Sequence, residues 1–165
     1  MSFLIERMQP ADWVTVREIY LQGIAAGQAT FETDAPLWES WDANHLAFAR
    51  LVARDDEAVI GWAALSPVSA RRAYAGVAEE SVYVAFNRHG TGAGRQLLEA
   101  LISESEQNGI WTLQAVMFAE NQASVALHLA CGFREVGRRE RIGKLNGVWR
   151  DTILLERRST RIGVE

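Results

Sequence analysis

A chain of 165 residues with 48% hydrophobic and 23% charged residues is too apolar for a disordered segment and suits one compact domain, 1–165. A net charge of −4 gives no ground for nucleic-acid binding, and no run approaches the ~18 apolar residues of a membrane span, so neither partner is expected. One cysteine, Cys131, excludes an intrachain disulfide and a zinc site built on paired cysteines; no metal is expected, and without an apolar signal segment the chain reads as cytoplasmic.

Phe3–Arg7 reads as a short strand. Pro10 opens a helix that puts Trp13, Val16, Tyr20 and Ile24 on one stripe, and Gly23 and Gly27 weaken its far end. Residues 28–34 form a loop. Asp34 and Pro36 then open a second helix with Trp38, Trp41 and His45 at helical spacing. Ala49–Arg54, Ala58–Leu65 and Glu79–Phe86 are strand-like; Asp55-Asp56 turns between the first two, and Pro67–Gly76 is a loop with Arg71 and Arg72. After a glycine-rich stretch, Leu97, Leu98, Leu101 and Ile102 make one face of a helix that ends at Asn108-Gly109. Trp111–Phe118 is a strand, and Asn121 caps a last helix that Gly132 stops. Phe133–Ile142 and Val148–Leu155 pair as a hairpin across Gly143–Gly147. Arg157, Arg158 and Arg161 read as a solvated terminus, and Cys131, in an apolar stretch, as a buried structural thiol. The order β-α-α-β-β-β-α-β-α-β-β is α/β but not strictly alternating. It predicts a mixed sheet with helices on both faces.

Ser81–Leu98, SVYVAFNRHGTGAGRQLL, is the most informative stretch. A strand runs into His89-Gly90-Thr91-Gly92-Ala93-Gly94 and a helix begins at once. Glycines let backbone N–H groups converge on an anion, and the helix N-terminus, Arg88 and Arg95 add positive charge. The stretch is a pyrophosphate cradle or a tight strand-to-helix turn. No Lys-Ser/Thr follows the last glycine, so it is not a P-loop, and its place in mid-chain does not suit a dinucleotide fold.

The segment resembles the coenzyme A signature of the GNAT superfamily of N-acetyltransferases, Gln/Arg-x-x-Gly-x-Gly/Ala after the fourth strand. Gly92 and Gly94 match, and His89 replaces the first Gln or Arg. Asn121–His128, followed by Gly132-Phe133, looks like that superfamily's Asn-containing segment after the fifth strand. The resemblance narrows to phosphinothricin and methionine sulfone/sulfoximine acetyltransferases. It rests there on Ala29-Thr30-Phe31-Glu32-Thr33, Arg71 with Ala73-Tyr74, Glu79 with Ser81-Val82-Tyr83-Val84, and Lys144 with Gly147, Trp149 and Asp151. It departs at Gly76 and Val77, beside the acceptor pocket.

The resemblance implies a GNAT-type, mostly antiparallel central sheet flanked by helices. It implies acetyl-CoA as donor, coenzyme A as product, and a small amino acid or analogue as acceptor by direct attack. Arg88, His89, Gly90, Thr91, Gly92, Ala93, Gly94 and Arg95 would hold the pyrophosphate, and Asn121 and Ser124 the pantetheine arm. Val82, Tyr83 and Val84 would flank the coenzyme, a backbone N–H at or near Val84 facing the thioester carbonyl. His128 stands where a Tyr often stands near the departing thiolate. Glu79 matches the general base, with Glu80 its rival; alternation puts Glu79, Ser81 and Tyr83 on one face and Glu80, Val82 and Val84 on the other. Phe31, Glu32, Arg71, Arg72, Tyr74 and Glu79 fall on the acceptor side, where Arg71 or Arg72 would take an α-carboxylate. Relatives are often homodimers, and Trp149 could lie at such an interface. A peptide N-terminus or another amine as acceptor, and a non-catalytic acyl-CoA-binding module, remain as alternatives on the same residues.

Overall fold

The strand-like runs assemble into one seven-stranded sheet in the order β1-β2-β3-β4-β5-β7-β6. The structure is a computed structural model and describes residues 3–165. The strands are β1 (Leu4–Arg7), β2 (Leu51–Asp55), β3 (Ala58–Pro67), β4 (Val77–Val84), β5 (Thr112–Phe118), β6 (Arg134–Leu145) and β7 (Val148–Arg158). Every neighbouring pair is antiparallel except β4 and β5, which run parallel. Helices α1 (Trp13–Ala26) and α2 (Trp38–Asn44) cover one face; α3 (Ala93–Gln107) and α4 (Gln122–Ala130) cover the other. The expected mixed, mostly antiparallel sheet with helices on both faces is the one observed.

Each face has its own core. Val16 and Ile19 of α1 and Trp41 of α2 pack on Val52, Trp62 and Ala64. Across the sheet, Leu97, Leu98, Leu101 and Ile102 of α3 pack on Ala63, Leu65, Ala78 and Leu113. A leucine buried this fully contributes about 1.5–3 kcal/mol, so the apolar face of α3 is a principal anchor of the helix to the sheet. On the α1 side, Tyr83 of β4 stacks on Trp62 at 5.0 Å and meets Tyr20 at 5.0 Å. Gly23 permits that approach, because a Cβ there would lie 2.7 Å from the Tyr83 ring.

Several boundaries differ from the sequence expectation. Asp34 does not cap α2: its Oδ1 accepts the Ala35 N–H, and Leu37 holds the cap position without a side-chain bond. Pro36 disfavours a helical Ala35, so the helix starts later. Ala49 has a φ of 56°, and β2 begins only at Leu51. Strand β4 starts at Val77, so Glu79 lies within the strand rather than at its start, and a 3₁₀ turn at Phe86–Arg88 follows its end at Val84. The hairpin closes on Asn146-Gly147, whose φ values of 51° and 79° suit a type I′ turn, so Gly143 and Lys144 belong to β6. Cys131 is half-buried rather than buried; burial raises its pKa, which suits an unreactive thiol.

The arginine-rich terminus is exposed at Arg158 and Arg161, as expected, but Arg157 is half-buried against α3. Glu106, near the end of α3, is half-buried, its side chain only 8% exposed, and accepts hydrogen bonds from Ser159 Oγ at 2.8 Å and Arg157 Nη1 at 3.1 Å, with Arg161 at 3.7 Å. Arg158 binds the carbonyls of Ser159, Ile162 and Gly163. A buried carboxylate needs such partners. Among the described residues no helix is long and apolar enough to cross a membrane.

Burial works against the Glu106 carboxylate, but the bonds from Ser159 and Arg157 and the charges of Arg157 and Arg161 outweigh it and hold its pKa below the ordinary 4.5. A carboxyl group held low in the folded state stabilises that state above its unfolded pKa. The contribution disappears as pH falls through the folded value. Glu106→Gln is expected to lower stability at neutral pH by on the order of 1 kcal/mol, one net hydrogen bond. The difference from wild type should close below pH 4.5, as calorimetric melts over that range will read.

Candidate active site

Pairing between β4 and β5 stops early. Val77, Ala78 and Glu79 pair with Thr112, Leu113 and Gln114; β4 then runs on to Val84 and β5 to Phe118 with no further pairing between them. Each strand keeps its other neighbour, β3 for β4 and β7 for β5. The result is a V-shaped gap through the sheet. The Ala85 N–H donates to Ile60 of β3, so by strand alternation the N–H groups of Val82 and Val84 face the gap.

A cleft of about 320 Å³ occupies this gap. Its wall brings together Glu79, Glu80, Ser81, Val82 and Tyr83 of β4, Val116 and Met117 of β5, Asn121, Ser124 and His128 around α4, and Tyr20, Thr30, Glu32, His45 and Ser66 from the α1–α2 side. Among the described residues the wall contains no lysine or arginine.

The adjacent carboxylates point to opposite faces. Glu79 is half-buried on the α1–α2 side, and Gln114 Nε2 donates to its Oε1 at 2.8 Å. Glu80 is buried on the α3–α4 side, where its Oε1 lies 2.9 Å from His128 Nε2. His128 Nδ1 sits 2.7 Å from the Ser124 carbonyl, which can only accept, so Nδ1 carries a hydrogen. Burial pushes the His128 pKa down, but the hydrogen bond and charge of Glu80 prevail, and the net shift is upward. Glu80 Oε2 is buried without a hydrogen-bond partner. Burial raises the Tyr83 phenol, and nearby Tyr20, Glu80 and Glu32 add to the effect, so it stays protonated at neutral pH.

The glycine loop follows the end of β4. Gly90 and Gly92 have φ of 76° and 92°, and Gly92 is the N-cap of α3. The first helical bond runs from Gln96 N–H to the Gly92 carbonyl, so the amides of Ala93, Gly94 and Arg95 have no acceptor within the helix. A Cβ built at Gly90 or Gly92 would meet nothing within 4 Å. The loop therefore offers open space lined by amides, which suits a phosphate group. The basic side chains nearby are engaged: Arg88 pairs with Asp55 at 2.5 Å, Arg95 with Glu99 at 2.8 Å, and His89 Nε2 donates to the Val84 carbonyl at 3.0 Å. Thr91 Oγ1 donates to the Arg88 carbonyl at 2.7 Å. Asn121 caps α4 through the Ser124 N–H, as expected, and also donates to the Gln28 carbonyl.

Four of the acceptor-side residues lie outside the cleft wall. Phe31 does not line the cleft: its ring stands edge-on to Phe118 at 4.8 Å and lies against Gly143, where it anchors the loop. Arg71, Arg72 and Tyr74 are exposed on the loop between cleft-lining Ser66 and Glu79, outside the cleft wall. Arg71 lies over the Tyr74 ring at 5.7 Å, and neither arginine has an ion-pair partner among the described residues. Sequence reasoning missed Tyr20, Thr30, His45, Ser66, Gln114, Val116 and Met117. Tyr20 had a usable signal, since the α1 stripe already turned it toward the sheet.

The family model for the Acetyltransferase (GNAT) family matches residues 13–133, most of the chain. The chain is 34% identical to a phosphinothricin N-acetyltransferase of Alcaligenes faecalis, over 88% of its own length and 77% of that protein. It is 31% identical to an L-methionine sulfoximine/L-methionine sulfone acetyltransferase of Pseudomonas aeruginosa, over 81% and 73%. The solved phosphinothricin acetyltransferase of Sinorhizobium meliloti in complex with acetyl-CoA superposes with a TM-score of 0.87 at 30% identity, covering 96% of this chain and 89% of that one. The chain belongs to the GNAT acetyltransferase family.

The glycine geometry separates two substitutions. Gly92→Val places a β-branched residue at positive φ with its side chain in the open cradle, and should weaken coenzyme A binding by roughly tenfold or more. At Gly94 an added Cβ meets Val84 and Leu127 at ordinary distances of 3.5 and 3.7 Å, so Gly94→Ala should bind nearly as wild type. Titration calorimetry with coenzyme A reads both.

Proposed function

As a member of an acetyltransferase family, this chain, we propose, moves the acetyl group of acetyl-CoA onto the α-amine of a small amino acid or analogue by direct attack. The observation that carries this reading is the cleft where β4 and β5 part, with a carboxylate on its α1–α2 side and the glycine loop following β4. The coenzyme supplies an acetyl thioester. The loop amides from Gly90 to Arg95 take its pyrophosphate, and Asn121 and Ser124 meet its pantetheine arm. The N–H of Val82 or Val84 faces the carbonyl oxygen as negative charge develops there.

Glu79 is the general base. Gln114 fixes one of its oxygens, and the carboxylate takes a proton from the acceptor amine, directly or through a water. The charge layout supports an amino-acid acceptor. Glu32 and Glu79 in the wall attract an ammonium group. Arg71 and Arg72 on the rim loop, free of ion pairs, are available for an α-carboxylate, so the amine enters first and the carboxylate stays outside. The acceptors named for the two relatives above are amino acids of this kind.

The exposed Val148 and Trp149 at the hairpin end, with Lys144 Nζ 4.8 Å from the Trp149 ring centre, support a homodimer through this hairpin. A single free thiol supports a reducing, cytoplasmic setting.

Glu79→Gln should lower kcat by roughly 10²–10⁴, the usual contribution of a general base, with acetyl-CoA affinity near wild type. Arg71→Ala or Arg72→Ala should chiefly raise KM for methionine sulfoximine and leave its decarboxylated amine little changed. Thiol release measured on both acceptors decides. Efficient use of the decarboxylated amine, with no loss in either arginine variant, would reject the amino-acid acceptor while leaving acetyl transfer in place.

A further inference from the structure

A carboxylate next to the proposed base is buried, bonded to a histidine, and has no role in deprotonating the amine. Glu80 and Glu79 are neighbours in β4, so alternation sends them to opposite faces. Glu79 faces the side of α1 and α2, where Tyr20, Glu32 and His45 line the cleft. Glu80 faces the side of α3 and α4, the side of the helix that the glycine loop opens. If the coenzyme lies along that loop, its sulfur reaches the gap from the side of Glu80 and His128.

The hydrogen-bond pattern fixes where a mobile proton sits. His128 Nδ1 is committed to the Ser124 carbonyl. The 2.9 Å contact between Nε2 and Glu80 Oε1 needs a proton on one of those two atoms, because two lone pairs would repel there. The pair thus holds one proton, as imidazolium with carboxylate or as imidazole with carboxylic acid. The imidazole faces Glu80 from β4, Ser124 from its own helix, and the Phe133 ring at 5.0 Å. Val116 and Met117, which line the cleft from β5, bring no charge, and the cleft's other ionisable groups belong to its α1–α2 side. Glu80 Oε2, buried in the cleft wall and unpartnered, leaves one open position from which the pair can be recharged.

We infer that Glu80 is a positioning residue that keeps a proton on His128 Nε2, and that this proton goes to the sulfur when the acetyl group is transferred. The inference rests on the acetyl-transfer reading above. As the C–N bond forms and the C–S bond breaks, the C–S electron pair stays on sulfur and His128 Nε2 gives up its proton to it. The imidazole is left neutral beside the Glu80 carboxylate. The amine nitrogen, entering as ammonium, loses one proton before attack and one after it, both by way of Glu79. One proton from solvent recharges the Glu80–His128 pair. Each turnover thus releases one net proton, as conversion of an ammonium and a thioester into an amide and a thiol requires. The raised pKa of His128 agrees with this task, since it brings the donor nearer to the range of an ordinary thiol.

The sign of the pH dependence follows. A step that needs protonated His128 fails as pH rises through its pKa. Removing the adjacent negative charge lowers that pKa, by about one pH unit or more for an opposite charge at contact distance. In Glu80→Gln, a near-isosteric change, the alkaline limb of kcat should move to lower pH by that amount, with KM for acetyl-CoA little changed. The His128 ring resonance, followed by NMR in the protein without coenzyme, should titrate lower by the same amount. Glu80→Asp should restore part of both shifts. A kcat limb that stays in place in Glu80→Gln while wild type is active overturns the inference, whether or not the resonance moves. A wild type that acetylates no amine overturns the acetyl-transfer reading itself, and the NMR titration then still reports whether Glu80 holds the His128 proton.

Discussion

The structure depends on the place where two parallel strands stop sharing hydrogen bonds. Between Val77 and Glu79 the β4–β5 ladder is intact; beyond Glu79 it is absent. Unpaired strand edges are ordinarily costly inside a domain, because each buried N–H or C=O left without a partner loses the free energy of a hydrogen bond. The fold limits that cost to one edge of each strand, since β3 and β7 hold the outer edges. Main-chain donors thereby become available inside a cleft, rigidly aimed, without any side chain being assigned to the task. The same opening lets groups from the two faces of the sheet meet, which a continuous sheet would prevent.

A strand passing such a gap sorts its residues by parity. Glu79 and Glu80 are chemically alike and covalently adjacent, yet one meets Gln114 in a half-open setting and the other meets His128 in a buried one. Amine acylation by a thioester has the same twofold character: a nitrogen must lose protons and a sulfur must gain one. Had both carboxylates faced one side, their mutual repulsion would have raised the pKa of one and left the other side without a partner for the histidine. The β-pleat therefore places the two carboxylates on opposite sides of the sheet, and on the proposed mechanism it is what separates the two proton tasks.

Much of this was readable in the sequence, for reasons that differ from residue to residue. The glycine loop was legible because positive φ and open space leave few alternatives to glycine, and because the loop lies between a strand and the helix it opens. The apolar face of α3 was legible because its period is local. The parity of Glu79 and Glu80 was also legible, but the choice of partner was not: Gln114 and His128 are distant in sequence, and only the sheet order brings them in. Gly23 read as a weakness of α1, whereas in the fold it makes room for the Tyr83 ring, a contact with no local signature. Phe31 and Glu32 read as acceptor-side together because the resemblance covers their whole segment; in the fold Glu32 lines the cleft while Phe31 turns to Phe118 and Gly143. Arg157 read as solvated with its neighbours because nothing nearby in sequence revealed Glu106.

The excess of carboxylates in the cleft poses a conflict that the geometry resolves. Glu32, Glu79 and Glu80 line a wall without lysine or arginine, which favours entry of an ammonium group. The same field stabilises the ammonium once it is bound, and so opposes the deprotonation that attack requires. Two features reduce this opposition. The proton shared with His128 offsets the charge of Glu80, so the α3–α4 side of the cleft, where the proposal puts the sulfur, adds little to the negative potential. Gln114 occupies one oxygen of Glu79, which orients the carboxylate without a competing cation. On the proposed reading, what remains is a short-range contact between Glu79 and the amine, where attraction would draw the ammonium in and proton transfer would then cancel both charges. A lysine or arginine in the wall would ease the proton loss but repel the ammonium at entry; placing Arg71 and Arg72 outside the wall keeps cations away from the amine while leaving them within the same loop system.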